Sequence, residues 1–280
     1  MILFAFGSTL WGVSSLLKES VAGPTFYNQS QRTAPIVDSR SFTLGEKLTY
    51  TVSWKVFDAG IAILHLVDRF RAQNEDLYSI RATVRSTGIV ATLFTVVDVF
   101  ESNVTAADLC SRRIVKNIQE GHRRRTTTVD FDQRGQLARM EDADLSRPGL
   151  PPRHSESPIP ACVQDVISAF YFVRTRDLKV DETFRFPMND GGKTYDVDVD
   201  VQAVETVKTP AGIFQAYRLE PKVFGGIFKN KGRLFVWITN DAERVPVQLK
   251  ARIAVGTITA SLSRIEKPPT IQALPKKSQN

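Results

Sequence analysis

A strict two-residue rhythm constrains this chain more than any other feature. Leu48, Tyr50, Val52, Trp54 and Val56 alternate with Thr49, Thr51, Ser53 and Lys55. Successive side chains of an extended strand point to opposite faces, so this period gives one buried face and one wet face. The rhythm returns where Tyr78, Ile80, Ala82 and Val84 alternate with Ser79, Arg81, Thr83 and Arg85. It returns again where Tyr195, Val197, Val199 and Val201 alternate with Asp196, Asp198 and Asp200. Strand-like runs also cover 61–70, 95–103, 113–119, 123–131, 182–188, 214–223, 233–239, 245–253 and 257–265, about a dozen strands in all. Between them stand turn residues: Asp58-Ala59-Gly60, Gly121, Gln133-Arg134-Gly135 and Asn189-Asp190-Gly191-Gly192. Composition agrees, with 17 Phe against 3 Met and no long Ala/Leu/Glu-rich run. The expected fold is all-β and mostly antiparallel: a strongly curved sheet or open β-barrel with one substantial helix packed on or in it.

That helix is read between Ala161 and Leu178, at about 162–177. Val163, Val166, Ile167, Phe170 and Tyr171 form a single helical stripe. Asp165, Ser168, Tyr171 and Arg174 share one side, where they read as a polar latch holding helix to sheet rather than as a reactive site. Pro148, Pro151, Pro152, Pro158 and Pro160 make the preceding segment a stiff loop. Residues 1–22 read as a signal peptide or short membrane anchor: the apolar run Ile2–Leu17 is too short to span a bilayer comfortably, and Ser20-Val21-Ala22 offers small residues for cleavage. A polar linker (23–41), the β-rich domain (42–266) and a disordered tail (267–280) follow. Export makes a bridge between Cys110 and Cys162, the only cysteines, the reading for an oxidising compartment; in a reducing one they are small core residues.

Reactive chemistry is poorly represented. His65, His122 and His154 are the only histidines, and none lies in a nucleophile-elbow or metalloprotease motif. Asp196, Asp198 and Asp200 share one strand face, whereas glycosidase carboxylates converge from separate strands. They read as the wet face, with a basic strand or a divalent cation as conceivable neighbours. Arg112, Arg113, Lys116, Arg123, Arg124 and Arg125 form a basic hairpin, read first as a charged edge against aggregation and second as a holder of lipid phosphate. No aromatic residues interleave them for nucleic-acid stacking, and the net charge of +7 bears on acidic partners without specifying one. Gly191-Gly192 and Gly225-Gly226 lack a phosphate-loop context. The expectation is a protein that is not an enzyme and has no cofactor, metal or nucleic-acid partner.

Several phrases together resemble a bacterial exported family known as domain of unknown function number 3108. They are Phe42-Thr43-Leu44-Gly45-Glu46-Lys47-Leu48-Thr49-Tyr50 with Val52, Ser53 and Trp54, then Asp58-Ala59-Gly60, then Asp98, Phe100, Glu101 and Ser102. The run from Asp165 to Arg174, the run from Thr209 to Phe214, and Val236-Trp237-Ile238-Thr239 with Asp241 and Pro246 complete the pattern. It spans roughly residues 40–265. The resemblance implies a β-rich, envelope-located protein and carries no established activity. A curved antiparallel sheet encloses an apolar trough, so the expected function is binding or carrying a hydrophobic or lipidic envelope component. Trp54, Phe94, Phe100 and Trp237 are the candidate lining, and an anionic ligand or peripheral membrane contact is a further expectation. The alternative is a structural or assembly factor with a filled interior.

Overall fold

A computed structural model describes residues 41–222, 232–253 and 256–268. The segment read as signal or anchor, the linker up to residue 40, Gly225-Gly226 and the tail beyond residue 268 lie outside the described residues. Among the described residues fourteen strands form one open antiparallel sheet in the order β8-β7-β6-β5-β4-β3-β2-β1-β14-β13-β12-β11-β10-β9. The first set comprises β1 (Lys47–Trp54), β2 (Phe57–Ala72), β3 (Glu75–Ser86), β4 (Val97–Thr105), β5 (Ser111–Glu120), β6 (Arg123–Asp132), β7 (Leu137–Asp144) and β8 (Arg153–Pro158). The second comprises β9 (Thr183–Asp190), β10 (Lys193–Thr209), β11 (Gly212–Lys222), β12 (Arg233–Thr239), β13 (Pro246–Ile253) and β14 (Gly256–Glu266). First and last strands pair, from Lys47 with Glu266 to Trp54 with Ile258.

Alternation makes these strands, and bulges bend them. Register shifts occur in six of the pairings, including β1–β14, β1–β2 and β2–β3, and each adds local twist and curl. The free edges consequently approach one another. Thr194 Oγ1 donates to the Pro158 carbonyl at 3.4 Å, and Lys116 Nζ reaches Asp190 Oδ1 at 2.5 Å across the interior. The enclosed face is the core: Leu48, Leu66, Ile80, Phe100, Ile258 and Leu262 are all buried.

Four sequence expectations need correction. The first turn lies at Lys55–Val56, not at Asp58-Ala59-Gly60, which sits within β2; Lys55 takes the left-handed conformation at φ 55°. Strands β7 and β8 were absent from the expected meander. The inward positions of β7 include Asp142 as well as Ala138 and Met140, which breaks the apolar rhythm. Strand β8 (Arg-His-Ser-Glu-Ser-Pro) lies at the edge with almost no buried position, so it needs no apolar face. A short helix α1 (Gly88–Leu93), none of whose residues is buried, links β3 to β4.

The fourth correction concerns the substantial helix, which contracts to the seven residues of α2 (Ser168–Arg174). The front of the apolar stripe is extended instead. The Ser111 amide donates to the Val163 carbonyl at 3.0 Å, and Gln164 exchanges backbone hydrogen bonds with Pro187 and Asn189. Asp165 Oδ1 then accepts the amides of Ile167 and Ser168 at 2.8 and 2.9 Å. That satisfies donors a helix start leaves open, so helix begins only after the carboxylate.

Candidate functional site

The inner face of β1–β3 is floored by small residues. Tyr50 pairs with Ala62, Ala62 with Val84 and Leu64 with Ala82. On the other side Leu249 pairs with Ala260, and Ala260 with Val52. Ile167 and Phe170, contributed by the α2 segment, face this floor. Together they line an apolar cleft of about 60 Å³. Such a space holds a few methylene groups, and its walls offer a lodged water almost none of the polar partners it needs.

The aromatic residues expected to line the interior scatter. Phe100 is buried within the core beside the cleft wall, paired with Ala82. Trp54 and Phe94 are 37% and 49% exposed at one end of the sheet, where an added Cβ at Gly121 would stand 3.0 Å from the Phe94 ring. Trp237 lies on the outer face, its Nε1 donating to Glu205 Oε1 at 2.5 Å with the Lys250 ammonium over its ring. The residues that do line the cleft (alanines, Val52, Val84, Phe170) were missed because small residues in a strand carry no special signal until the register places them side by side.

Around Trp54 and Phe94 the sheet end is apolar and uncovered. Val56, Phe57, Ile89 and Leu93 are exposed there, and the Thr87 amide donating to the Ala59 carbonyl at 3.1 Å brings α1 beside the start of β2. Val52 and Val84 of the cleft stand two residues, one inward step, from Trp54 and Ser86 at this rim.

The polar latch resolves into two nodes. Asp165 Oδ2 accepts the hydroxyls of Ser102 and Ser111 at 2.6 and 2.7 Å, and Ser168 shares a hydrogen bond with Ser111 at 2.9 Å. Arg174 instead makes a bidentate pair with Glu46 at 2.5 and 3.0 Å. It also donates to the carbonyls of Ser41 and Glu243. Tyr171 packs edge-on against Phe42, ring centroids 5.1 Å apart. Cys110 and Cys162 form a disulfide with Cα atoms 5.0 Å apart, tying the β4–β5 loop to the connector before α2.

The two charged stretches are neutralised internally. Asp198 pairs with Arg185 and Asp200 with Lys222, the basic neighbours that three like charges on one face require. Both carboxylates are held below the usual range, Asp198 chiefly by Arg185 and Asp200 chiefly by the Thr183 hydroxyl and then Lys222. In the basic hairpin Arg112 pairs with Glu75, Arg113 with Asp130, Lys116 with Asp190 and Arg125 with Asp142. Most of its charge is therefore met by the protein's own carboxylates.

Beside the cleft the inner face turns polar. Asp98, the register partner of Val84, is fully buried, and burial pushes its carboxyl up to about 6. Burial likewise pushes Glu120 up to about 7, with repulsion from Asp98 adding to it. A carboxyl whose folded pKa exceeds its unfolded value keeps its proton longer in the folded chain. Stability is then fullest below about pH 4 and declines as pH rises through about 6 to 7. The double variant Asp98→Asn, Glu120→Gln is expected to flatten that decline, worth on the order of 2–3 kcal/mol per residue, in urea unfolding between pH 4 and 8. The paired acids act in a separate window. Burial raises Asp142, but hydrogen bonds from Arg125 and Thr127 outweigh it and hold it low, so its contribution fades only under stronger acid.

A family model described as a protein of unknown function, DUF3108, matches residues 49–263. Among solved structures, the chain is similar to a β-barrel-like protein of domain of unknown function DUF1849 from Brucella abortus. The TM-score is 0.50 at 7% identity, over 81% of this chain and 99% of that one. It is also similar to a candidate exported protein with a YmcC-like fold from Bacteroides fragilis, with a TM-score of 0.36 at 10% identity over 80% and 97% of the two chains. The Brucella likeness is one of fold. No curated protein matches the chain.

Proposed function

We propose that this chain, which belongs to the DUF3108 family of proteins of unknown function, is an exported envelope protein that acts by binding rather than by catalysis. Its ligand is an apolar, lipid-like chain held in the trough between the sheet and α2. The observation that carries this reading is the lining of the cleft: Ala62, Ala82 and Ala260 withhold side-chain bulk among Tyr50, Val52, Leu64, Val84 and Leu249. Close-packed interiors rarely leave such a space without use. The volume of about 60 Å³ takes only part of an alkyl chain, so the remainder runs toward the rim or displaces Phe170. The exposed apolar residues at the rim, Val56, Phe57, Ile89 and Leu93, supply a surface at which a ligand passes between protein and bilayer. Export is supported by the apolar N-terminal segment of the sequence and by the disulfide, which persists in oxidising compartments.

The test fills the trough. In the double variant Ala62→Leu, Ala82→Leu the added methylenes occupy the free volume, at a stability cost of about 1–3 kcal/mol. A folded variant with at least a roughly tenfold weaker affinity for dodecanol, measured by calorimetry, is the expected result. Unchanged affinity in the folded variant rules the trough out as the binding site. Native mass spectrometry of protein from its own periplasm supplies an independent readout: a retained lipid mass supports the binding reading. The alternative, an assembly factor with a filled interior, requires a bare protein mass and no alkyl affinity.

A further inference from the structure

Of the five buried carboxylates among the described residues, Glu46, Asp98, Glu120, Asp142 and Asp165, three are matched. Glu46 has Arg174, Asp142 has Arg125 and Thr127, and Asp165 has two serine hydroxyls and two amides. Asp98 and Glu120 are not. Asp98 Oδ1 accepts the Gln119 amide at 3.0 Å, but Oδ2 has no partner. Glu120 Oε2 lies 3.9 Å from the Arg123 guanidinium, while Oε1 has none. The other interior cation, Lys116, is committed to Asp190. A charged oxygen left buried and unpaired costs more than a neutral polar group so placed, so two adjacent ones call for an explanation.

Position supplies it. Val96 bridges Glu120 and stands two residues before Asp98, which makes the two acids diagonal neighbours on the inner face. Asp98 continues the row Tyr50–Ala62–Val84 of the cleft. Glu120 continues the row Val52–Gly60–Ser86–Val96, in which Gly60 and Ser86 add little bulk. Along these rows only Val84 on one, and Ser86 and Val96 on the other, stand between the cleft and the two unpartnered oxygens.

We propose that Asp98 and Glu120 form the headgroup end of the trough and take the ammonium group of a primary-amine amphiphile whose chain lies in the cleft. This rests on the trough reading and names its ligand class. An ammonium carries three donors and one positive charge, enough to satisfy Asp98 Oδ2 and Glu120 Oε1 together. A neutral or anionic head leaves at least one of them unmet.

The experiment compares dodecylamine, dodecanol and dodecanoate on the full chain by calorimetry at pH 8. Dodecylamine is expected to bind roughly tenfold or more tightly than dodecanol, as charge-assisted hydrogen bonds would give, and dodecanoate more weakly than either. In Asp98→Asn, Glu120→Gln the amine advantage disappears, and dodecylamine binds no more tightly than dodecanol. Thermal unfolding checks that this variant is folded, and removal of two unpaired charges is expected to leave it at least as stable. Equal affinities for all three compounds in the parent chain overturn the headgroup site and leave the trough standing. An amine preference that survives the double substitution also overturns it. Absence of binding by any of the three overturns the trough reading and the headgroup site together.

Discussion

Replacing Arg174 by Ala is expected to destabilise the protein by about 3–5 kcal/mol, the cost of stripping one partner from a buried ion pair. Arg174 and Glu46 have no exposed side-chain surface. The guanidinium supplies both bonds to Glu46 and bonds to the carbonyls of Ser41 and Glu243, and it lies over the rings of Phe42 and Tyr171. The substitution strands the Glu46 carboxylate and two carbonyls in a place water does not reach. It also unties three segments at once: α2, the chain entering β1, and the β12–β13 loop. For a domain of this size the change corresponds to a fall in Tm of roughly 6–20 °C. Arg174→Lys recovers little, because a single ammonium cannot reproduce the planar fork. The double variant Arg174→Met, Glu46→Leu is expected to lie well above either single variant, since no charge is left without a counterpart. Unfolding in urea of the parent, Arg174→Met, Glu46→Leu and their double variant completes the cycle. A loss under 1 kcal/mol for Arg174→Ala, or simple additivity in the double variant, removes the network from any part in holding α2 against the sheet.

What the sequence disclosed divides along physical lines. Strands with one dry and one wet face were legible because alternation is written in residue order, as in Lys47–Trp54 and Lys193–Thr209. Strand β8 was not, because an edge strand with both faces wet is held by backbone bonds to β7, and those leave no trace in side-chain pattern. The helix is shorter than its apolar stripe for a different reason. Val163 and Val166 belong to the core, as a helical stripe requires, but the Ser111 amide donating to Val163 and the Gln164 amide donating to the Pro187 carbonyl claim the backbone there and delay the helix to Ser168. Helix propensity over so short a run is too weak to compete.

The candidate site was less legible still. Asp165 and Arg174 stand out in the sequence as charges on an apolar stripe. Their partners do not: Ser102, Ser111 and Glu46 lie 63, 54 and 128 residues away. The cleft is a property of register, because Ala62, Ala82 and Ala260 meet only when β2, β3 and β14 are aligned. Of the four large aromatics expected there, two stand at the rim and one on the outer face. In a curved sheet the free volume lies where small residues coincide, and the most conspicuous side chains mark where volume has been filled.

Removing the Cys110–Cys162 bridge is the second large effect to expect. The two residues are 52 apart in sequence, and closing a loop of that length in the unfolded chain is worth about 4 kcal/mol by the loop-entropy argument. Cys110→Ser with Cys162→Ser is therefore expected to lower stability by about that amount while leaving the strand content seen by far-ultraviolet circular dichroism intact. Retention of the fold follows from the local bonds. Ser111 still donates to Val163, and Gln164 still exchanges bonds with Pro187 and Asn189, so the connector keeps its course without the covalent tie. Because the bridge acts mainly on the unfolded state and Arg174 acts on the folded one, the two losses should add when combined. The sum approaches the whole stability of an ordinary domain, so the triple variant (both cysteines and Arg174) is expected to be largely unfolded at 37 °C. Coincident unfolding curves for oxidised and reduced parent protein would show that the bridge contributes nothing. They would also weaken one of the two observations that support the proposed export.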